Sequence, residues 1–422
     1  MKNFFALAFM LMCVMTCTAF AEETADIPPT ENAQSAQQEN IVRIGLFYGE
    51  TALAELKVQT SGVISLPGEL NPMNSVSVSY VPETGGMQVK DSNGVVLLEQ
   101  PSGQPCLMQA GSGSFVIGER SYRRSLEVTA TPAGLKVVNI LPFDEYICGV
   151  LPNEIYPSWP EEALKASAVA ARSFTIAGMG GKHSEDGFDL CTTTHCQVYR
   201  GMGTEQASTN KAVFDTKNQV LTYGGKVISA MYSANNGGYT EGTENVWSAK
   251  LDYYTIKADP YTPVDSWSVP YTAEEIEAML IAKGKNIGKV KSVIIDKTSP
   301  SGRVTGLRIV GSDGEYALSK DGIRSFFKLK SNMFIVETTG TASRSLAEAV
   351  IAMENSADIG LAVAALTDTN RTFTFNGQGY GHGVGMSQWG CKYRADAGQT
   401  YIEILAFYYD GATVSNYTEI MK

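Results

Sequence analysis

Glu154 stands in Leu151-Pro-Asn-Glu154-Ile-Tyr-Pro, and its immediate neighbours carry no charge. Apolar surroundings disfavour the ionised form of a carboxyl, so such a group stays protonated closer to neutral pH and can act as a general acid. Spacing alone also allows a plain exposed loop glutamate. Further along, Cys191-Thr-Thr-Thr-His195-Cys196 offers two thiols and an imidazole, the usual ligands of zinc. Adjacent His195 and Cys196 cannot both point inward from a regular strand, so a loop has to hold them. The spacing is not that of a standard finger, no fourth ligand is evident, and a Cys191–Cys196 disulfide is the alternative. Near the C-terminus Gly377, Gly379, Gly381, Gly383 and Gly385 alternate without a break. On an extended chain they line one face, either as bare backbone for a polymer or as a tightly packed strand crossing, with His382 pointing away. The run matches neither Gly-x-x-x-x-Gly-Lys nor Gly-x-Gly-x-x-Gly, the phosphate-binding patterns. No Gly-x-Ser-x-Gly elbow occurs, which argues against a serine hydrolase.

These residues need a scaffold. Ser158-Trp-Pro-Glu161 reads as a capping box with Pro in the first turn of a helix. Leu164, Ala168, Ala171 and Thr175 follow at helical spacing, and Gly178, Gly180 and Gly181 end it. Lys165 and Arg172 share a face of that helix. Upstream the pattern is β. Ile41 to Phe47 predicts a strand, Met87 to Lys90 and Val95 to Leu98 a hairpin around Asn93-Gly94, and Leu126 to Ala130 and Leu135 to Ile140 a further pair. Mixed α/β sequence runs to Val336, and Ala342 to Ala365 is Ala-rich with a helical character. The fold class that follows is α+β, with mixed β-sheets around the helix that follows Glu154 and a mostly β N-terminal region over 41–120.

The chain of 422 residues has 44% hydrophobic and 18% charged residues, enough for a sizeable core. Its net charge of −11 repels polyanions, so nucleic acid is not an expected partner. Lys2, the apolar run Phe4 to Phe20 and Ala19-Phe20-Ala21 read as an export signal over 1–21, cleaved before Glu22. An uncleaved anchor and a lipid site at Cys17 are the alternatives. The expected location is outside the cell, in the wall or on the outer face of the membrane. Residues 22–40 are polar and lack aromatics, the composition of a flexible linker. Beyond the signal remain Cys106, Cys148, Cys191, Cys196 and Cys391, an odd number, so a complete disulfide framework is impossible.

The stretch Leu141-Pro-Phe-Asp-Glu-Tyr-Ile-Cys-Gly-Val-Leu-Pro-Asn-Glu154-Ile-Tyr-Pro through Arg172-Ser-Phe resembles the core motif of the stage II sporulation protein D family. That family includes peptidoglycan lytic transglycosylases of sporulating bacteria and the amidase enhancers. Asp189 to Gly201 resembles its central loop, Ser233-Ala-Asn-Asn-Gly-Gly-Tyr-Thr-Glu241 the next motif, and Ser301-Gly-Arg-Val and Ile323 to Phe334 its later part. Gly379-Tyr-Gly-His-Gly-Val-Gly-Met-Ser-Gln-Trp-Gly390 resembles its glycine-rich signature. The resemblance spans a domain placed at 121–422. The first hundred residues are not clearly shared, and 342–366 looks like an insertion.

The resemblance implies that Glu154 is the catalytic acid and that Cys191, His195 and Cys196 bind zinc. It places Lys165, Arg172, Ser233, Gly237, Gly238, Gly381, His382, Gly383, Ser387 and Gln388 along a groove for peptidoglycan glycan strands. It implies cleavage at N-acetylmuramic acid with a 1,6-anhydro product, in sporulation engulfment or wall remodelling. A wall amidase and other engulfment proteins are the implied partners. The rival expectation is a non-catalytic wall-binding module that stimulates an N-acetylmuramoyl amidase.

Overall fold

A computed structural model describes residues 41–68, 73–111, 113–247, 249–339 and 371–420. The export signal, the linker over 22–40 and the Ala-rich insertion near 342–366 lie outside the described residues.

The N-terminal strands are β1 (Ile41–Phe47), β2 (Glu55–Ile64), β3 (Met73–Val81), β4 (Gly86–Lys90), β5 (Val96–Gln100), β6 (Pro105–Gln109), β7 (Phe115–Ile117), β8 (Arg120–Tyr122), β9 (Ser125–Thr131) and β10 (Gly134–Pro142). Strict alternation of buried and exposed residues makes β2 and β6 half-buried strands: Leu56, Val58, Cys106 and Met108 point inward. The expected hairpin is present, with Met87 opposite Gln100, and Asp91 Oδ1 accepts from the backbone N–H groups of Asn93 and Val95 at its turn. One sheet has the order β5-β4-β3-β2-β7-β8. A second runs β11-β1-β10-β9-β6, where β11 is Leu190–Cys191. Because β1 pairs with β10 on one side and with β11 on the other, the 41–120 region shares a sheet with the segment that carries the cysteines.

Two helices follow β10: α1 (Phe143–Glu154) and α2 (Glu161–Gly178). The sequence pattern puts Glu154 just ahead of the helix that begins near Glu161. Glu154 is the last residue of α1, a helix obscured by Pro152, which the burial of Tyr146, Ile147, Val150 and Leu151 overrides. The Ser158 capping box is not formed either: Pro160 is the N-cap of α2 and makes no side-chain cap bond. Glu161 and Glu162 instead oppose the positive end of the helix dipole. α2 is buried on two sides. Leu164, Ala168 and Ala171 join the core shared with the N-terminal sheets, whereas Ala163, Ala166, Val169 and Ala170 join a second core. The small residues allow neighbours to approach both faces closely, which makes α2 the expected central helix.

α3 (Ala207–Asp215), through Ala212 and Val213, and β13 (Lys226–Val227), through Val227, pack on the first core, whereas β12 (Gln219–Tyr223), β14 (Tyr232–Ser233), α4 (Thr243–Val246) and the C-terminal elements complete the second. A third core lies among β15 (Ser266–Thr272), α5 (Ala273–Ala282), β16 (Ser292–Thr298), β17 (Val304–Val310), β18 (Glu315–Ser319), α6 (Asp321–Phe327), β19 (Phe334–Thr339) and β20 (Thr372–Gln378). The chain closes with β21 (Met386–Ser387), α7 (Gln388–Asp396), α8 (Tyr401–Tyr408), β22 (Thr413–Asn416) and α9 (Tyr417–Ile420). The architecture is mixed α+β, as expected.

Candidate functional site

Glu154 is half-buried at the C-terminal, negative end of α1, where the helix dipole disfavours a carboxylate. Burial raises its pKa above the ordinary value, opposed by a hydrogen bond from the Val198 backbone N–H to Oε1 at 3.2 Å. The crevice beside it is lined by Leu151, Ile155, Ser167, Ala171, Tyr232, Met386 and Gln388. Glu154 is the one acid in that lining.

The Cys191–Cys196 loop supplies the backbone that holds the carboxyl. Gln197 Nε2 donates to Ala171 O and Tyr232 Oη, each at 3.3 Å. Its Oε1 accepts from Thr175 Oγ1 at 2.8 Å and Tyr146 Oη at 3.4 Å. Burial, and secondarily the charge of Glu154, pushes the Tyr232 phenol well above its usual pKa, so it remains a neutral hydroxyl. Sequence reading missed Gln197, Val198 and Tyr232. Each lies in or directly beside a quoted motif, yet nothing in residue type alone sets them apart.

The motifs far apart in sequence meet here. β14 pairs in parallel with β21, Tyr232 opposite Met386 and Ser233 opposite Ser387. Gln388 follows at the crevice. The Ser233 hydroxyl is buried with no hydrogen-bond partner among the described residues. Ser387 is a structural cap: its Oγ accepts from Gly390 N at 3.1 Å and Thr262 Oγ1 at 3.0 Å. Gly237 and Gly238 form a turn locked to the glycine-rich run, since Gln378 Nε2 donates to Gly237 O at 2.9 Å and Asn235 pairs with Tyr380.

Four expectations are corrected. Arg172 does not reach a groove. It is fully buried, its Nε donates to Asp144 Oδ1 at 2.7 Å, and its other nitrogens donate to Gln219 O and Val213 O. Lys165 is bound to carboxylates, with Nζ 2.7 Å from Glu161, 3.4 Å from Glu162 and 3.7 Å from Asp215. The alternating glycines do not form an extended bare face: Gly379, Gly381, Gly383 and Gly385 have φ of 81°, 110°, 77° and 70°. The run is a tightly packed crossing. A Cβ on Gly383 would lie 2.1 Å from Arg303 Nη2, so only glycine fits. His382 packs against Trp247, its Nδ1 accepts from Val384 N at 3.0 Å, and it lines a separate crevice with Arg303 and Asp321. Burial, with Arg324 and Arg303 nearby, lowers its pKa to about 4, so the ring is neutral.

The cysteine loop gains the ligand that the sequence did not reveal. His183, Cys191, His195 and Cys196 bring their ligand atoms within 4.8 Å of one another. His183 Nε2 is buried and has no hydrogen-bond partner among the described residues, while Nδ1 is 2.9 Å from Asp186 Oδ2. His195 Nδ1 lies 3.7 Å from Cys191 Sγ and 3.6 Å from Cys196 Sγ. Both thiols are free, and their mutual hydrogen bond drives Cys191 down to about 3 and Cys196 up, a pair sharing one proton. Two sulfurs, two imidazoles and a carboxylate behind one imidazole fit a tetrahedral zinc ion. The signal for His183 was only its being one of three histidines.

The family model described as Stage II sporulation protein matches residues 131–223, and a domain of unknown function matches residues 257–385. An amidase enhancer of Bacillus subtilis (strain 168) is 34% identical over 292 residues, 64% of this chain and 40% of that protein. The chain thus spans well under half the length of that relative. An uncharacterized protein of Brachyspira hyodysenteriae (strain ATCC 49526 / WA1) is 32% identical over 73% of this chain and 76% of its own length. A stage II sporulation protein D of Bacillus subtilis (strain 168) is 26% identical over 66% of this chain and 76% of its own. With a family match that runs through Glu154 and the cysteine loop, and with these relatives, the chain belongs to the stage II sporulation protein D and amidase enhancer family.

Proposed function

We propose that this protein is an exported peptidoglycan lytic transglycosylase with Glu154 as its acid, acting on the cell wall during sporulation. The observation that carries the reading is a half-buried carboxyl with a raised pKa in the lining of a crevice that has no second acid among its described lining residues. Hydrolysis of a glycoside ordinarily uses two carboxylates. One suffices where the substrate supplies the nucleophile. Glu154 donates its proton to the glycosidic oxygen as the bond to C1 of N-acetylmuramic acid breaks. The 6-hydroxyl of the same sugar forms the new bond to C1 and returns its proton to the Glu154 carboxylate. Intramolecular attack gains several kcal/mol from proximity. In this reading Gln388, which lines the crevice, binds substrate, and Tyr232 offers a neutral hydroxyl beside the acid. In this reading His183, Cys191, His195 and Cys196 would hold a zinc ion, which would clamp the loop that ends at Val198.

A second reading is favoured by the name of the amidase enhancer relative: a wall-binding protein whose partner is an amidase. Incubation of the purified full chain with peptide-free glycan strands, followed by mass spectrometry of the products, decides. Released anhydro-sugar supports the enzyme. No release, together with acceleration of a wall amidase, supports the enhancer.

A further inference from the structure

Four aromatic rings gather beside the Glu154 crevice, and the acid chemistry uses none of them. Trp389 and Tyr393 lie one turn apart on α7 with stacked rings, centroids 6.1 Å apart at 26°. Trp389 meets Trp159 at 5.2 Å and Tyr156 at 6.2 Å, and Tyr156 meets Trp159 at 5.5 Å. The cluster is open to solvent: Tyr156 is 60% and Tyr393 38% exposed, with both tryptophans half-buried. Among the described residues, their phenol hydroxyls and indole N–H groups have no hydrogen-bond partner.

Two separate chain segments tie this patch to the acid. Tyr156 follows Glu154 by two residues, and Trp389 directly follows Gln388, a lining residue of the crevice. Rings that serve only to pack behave differently in this molecule. Phe327, Phe334, Phe373 and Phe375 are buried in the third core. An exposed apolar patch of this kind marks a binding surface. Flat π faces carry partial negative charge and attract the C–H face of a pyranose, while the free hydroxyl and N–H tips can reach its polar substituents. A glycan strand with its scissile bond at Glu154 would meet this surface through Tyr156 and Trp389, which adjoin the crevice residues Glu154 and Gln388 in the chain.

We propose that Tyr156, Trp159, Trp389 and Tyr393 form a stacking subsite for the hexopyranose rings flanking the bond at Glu154, so that these aromatics set the affinity for glycan. This rests on the reading of Glu154 as an acid acting on glycan, and binding separates the two. The full chain carrying Glu154→Gln is titrated with peptide-free glycan strands, and binding is followed by co-sedimentation and tryptophan fluorescence. In that background Tyr156→Ala and Trp389→Ala each weaken binding about tenfold, and Trp389→Phe stays within about threefold of the parent. Tyr156 is exposed enough that its replacement leaves the melting curve unchanged, which guards against misfolding. If both alanine variants bind glycan as the parent does, the subsite is overturned. If they bind normally yet no longer accelerate an amidase, the patch is a protein-docking surface and the subsite is likewise overturned. If binding falls as expected while the unmutated chain releases no sugar, the subsite stands and the cleavage reading falls.

Discussion

The backbone N–H of Val198 donates to Glu154 Oε1 at 3.2 Å, two residues beyond Cys196 in the sequence. The acid and the cysteine loop are therefore one unit. Between them Gln197 pins the backbone to α2 through Ala171 and Thr175, and to β14 through Tyr232. A disturbance at Cys191 or Cys196 has a short path to the carboxyl.

Purified protein is expected to carry about one zinc per chain, and Cys191→Ser to lose it. Because the loop positions Val198, the same variant loses glycan cleavage and melts at a lower temperature. Elemental analysis and thermal unfolding check this. A metal-free protein whose peptide map contains a Cys191–Cys196 bridge would decide for the disulfide.

Glu154→Gln keeps shape and removes the proton, so turnover falls by about 10² or more. The raised pKa of Glu154 places the loss of wild-type activity on the alkaline side, above the ordinary carboxyl range. The sign for stability follows from the same shift. The folded protein holds this proton to higher pH than the unfolded chain, so stability falls as pH rises through the interval between the two pKa values. Glu154→Gln removes that penalty and melts higher than wild type at neutral pH, with the difference vanishing in acid. Paired melting curves and pH–rate profiles read both effects.

Much of this was legible because it is local. Ile41 to Phe47 and the Asn93-Gly94 hairpin are set by residue pattern and turn chemistry, and they occur where the pattern puts them. The Cys191, His195 and Cys196 donors converge for the same reason. What stayed hidden depends on distant packing. His183 joins the cysteines because its ring stacks on Phe188 and meets Tyr48, the residue after β1, edge to face. Arg172 was expected along a groove, because its partner, Asp144, is 28 residues away on α1 and local pattern does not reveal it. The glycine run read as a strand because alternation is what a strand shows; the positive φ at four of its members, and the closeness of Arg303 and Met231 that leaves no room for a side chain at Gly383 and Gly385, depend on distant packing.

The Arg172–Asp144 pair joins the two helices on either side of the crevice backbone. Arg172 is wholly buried and the Asp144 side chain is 10% exposed. Removing one partner strands the other charge, so Arg172→Met or Asp144→Ala costs about 3–5 kcal/mol of stability. The double replacement by apolar residues recovers part of that loss. Chemical denaturation of the two single variants and the double variant measures it. A near-neutral Arg172→Met that abolished glycan binding would return Arg172 to the groove.

The product tests the mechanism most directly. The crevice lining supplies one carboxyl. Asp189 and Glu241, the other acids in the motifs, are committed elsewhere. Asp189 accepts from the backbone N–H groups of Arg43 and Gly180, and Glu241 is fully buried with Ser299, Ser301 and Asn245. Neither is free to activate water beside Glu154. Attack by the 6-hydroxyl is then the route left to a single acid, and it leaves 1,6-anhydro-N-acetylmuramic ends. Digestion of glycan strands in heavy-oxygen water should give unlabelled products, anhydro-sugar termini having lost the elements of water relative to reducing ends. Mass spectrometry distinguishes the two without ambiguity of position, because incorporated label appears only at C1. Labelled reducing ends would mean that water attacks, and the transglycosylase assignment would give way to hydrolysis with a base recruited from outside this crevice.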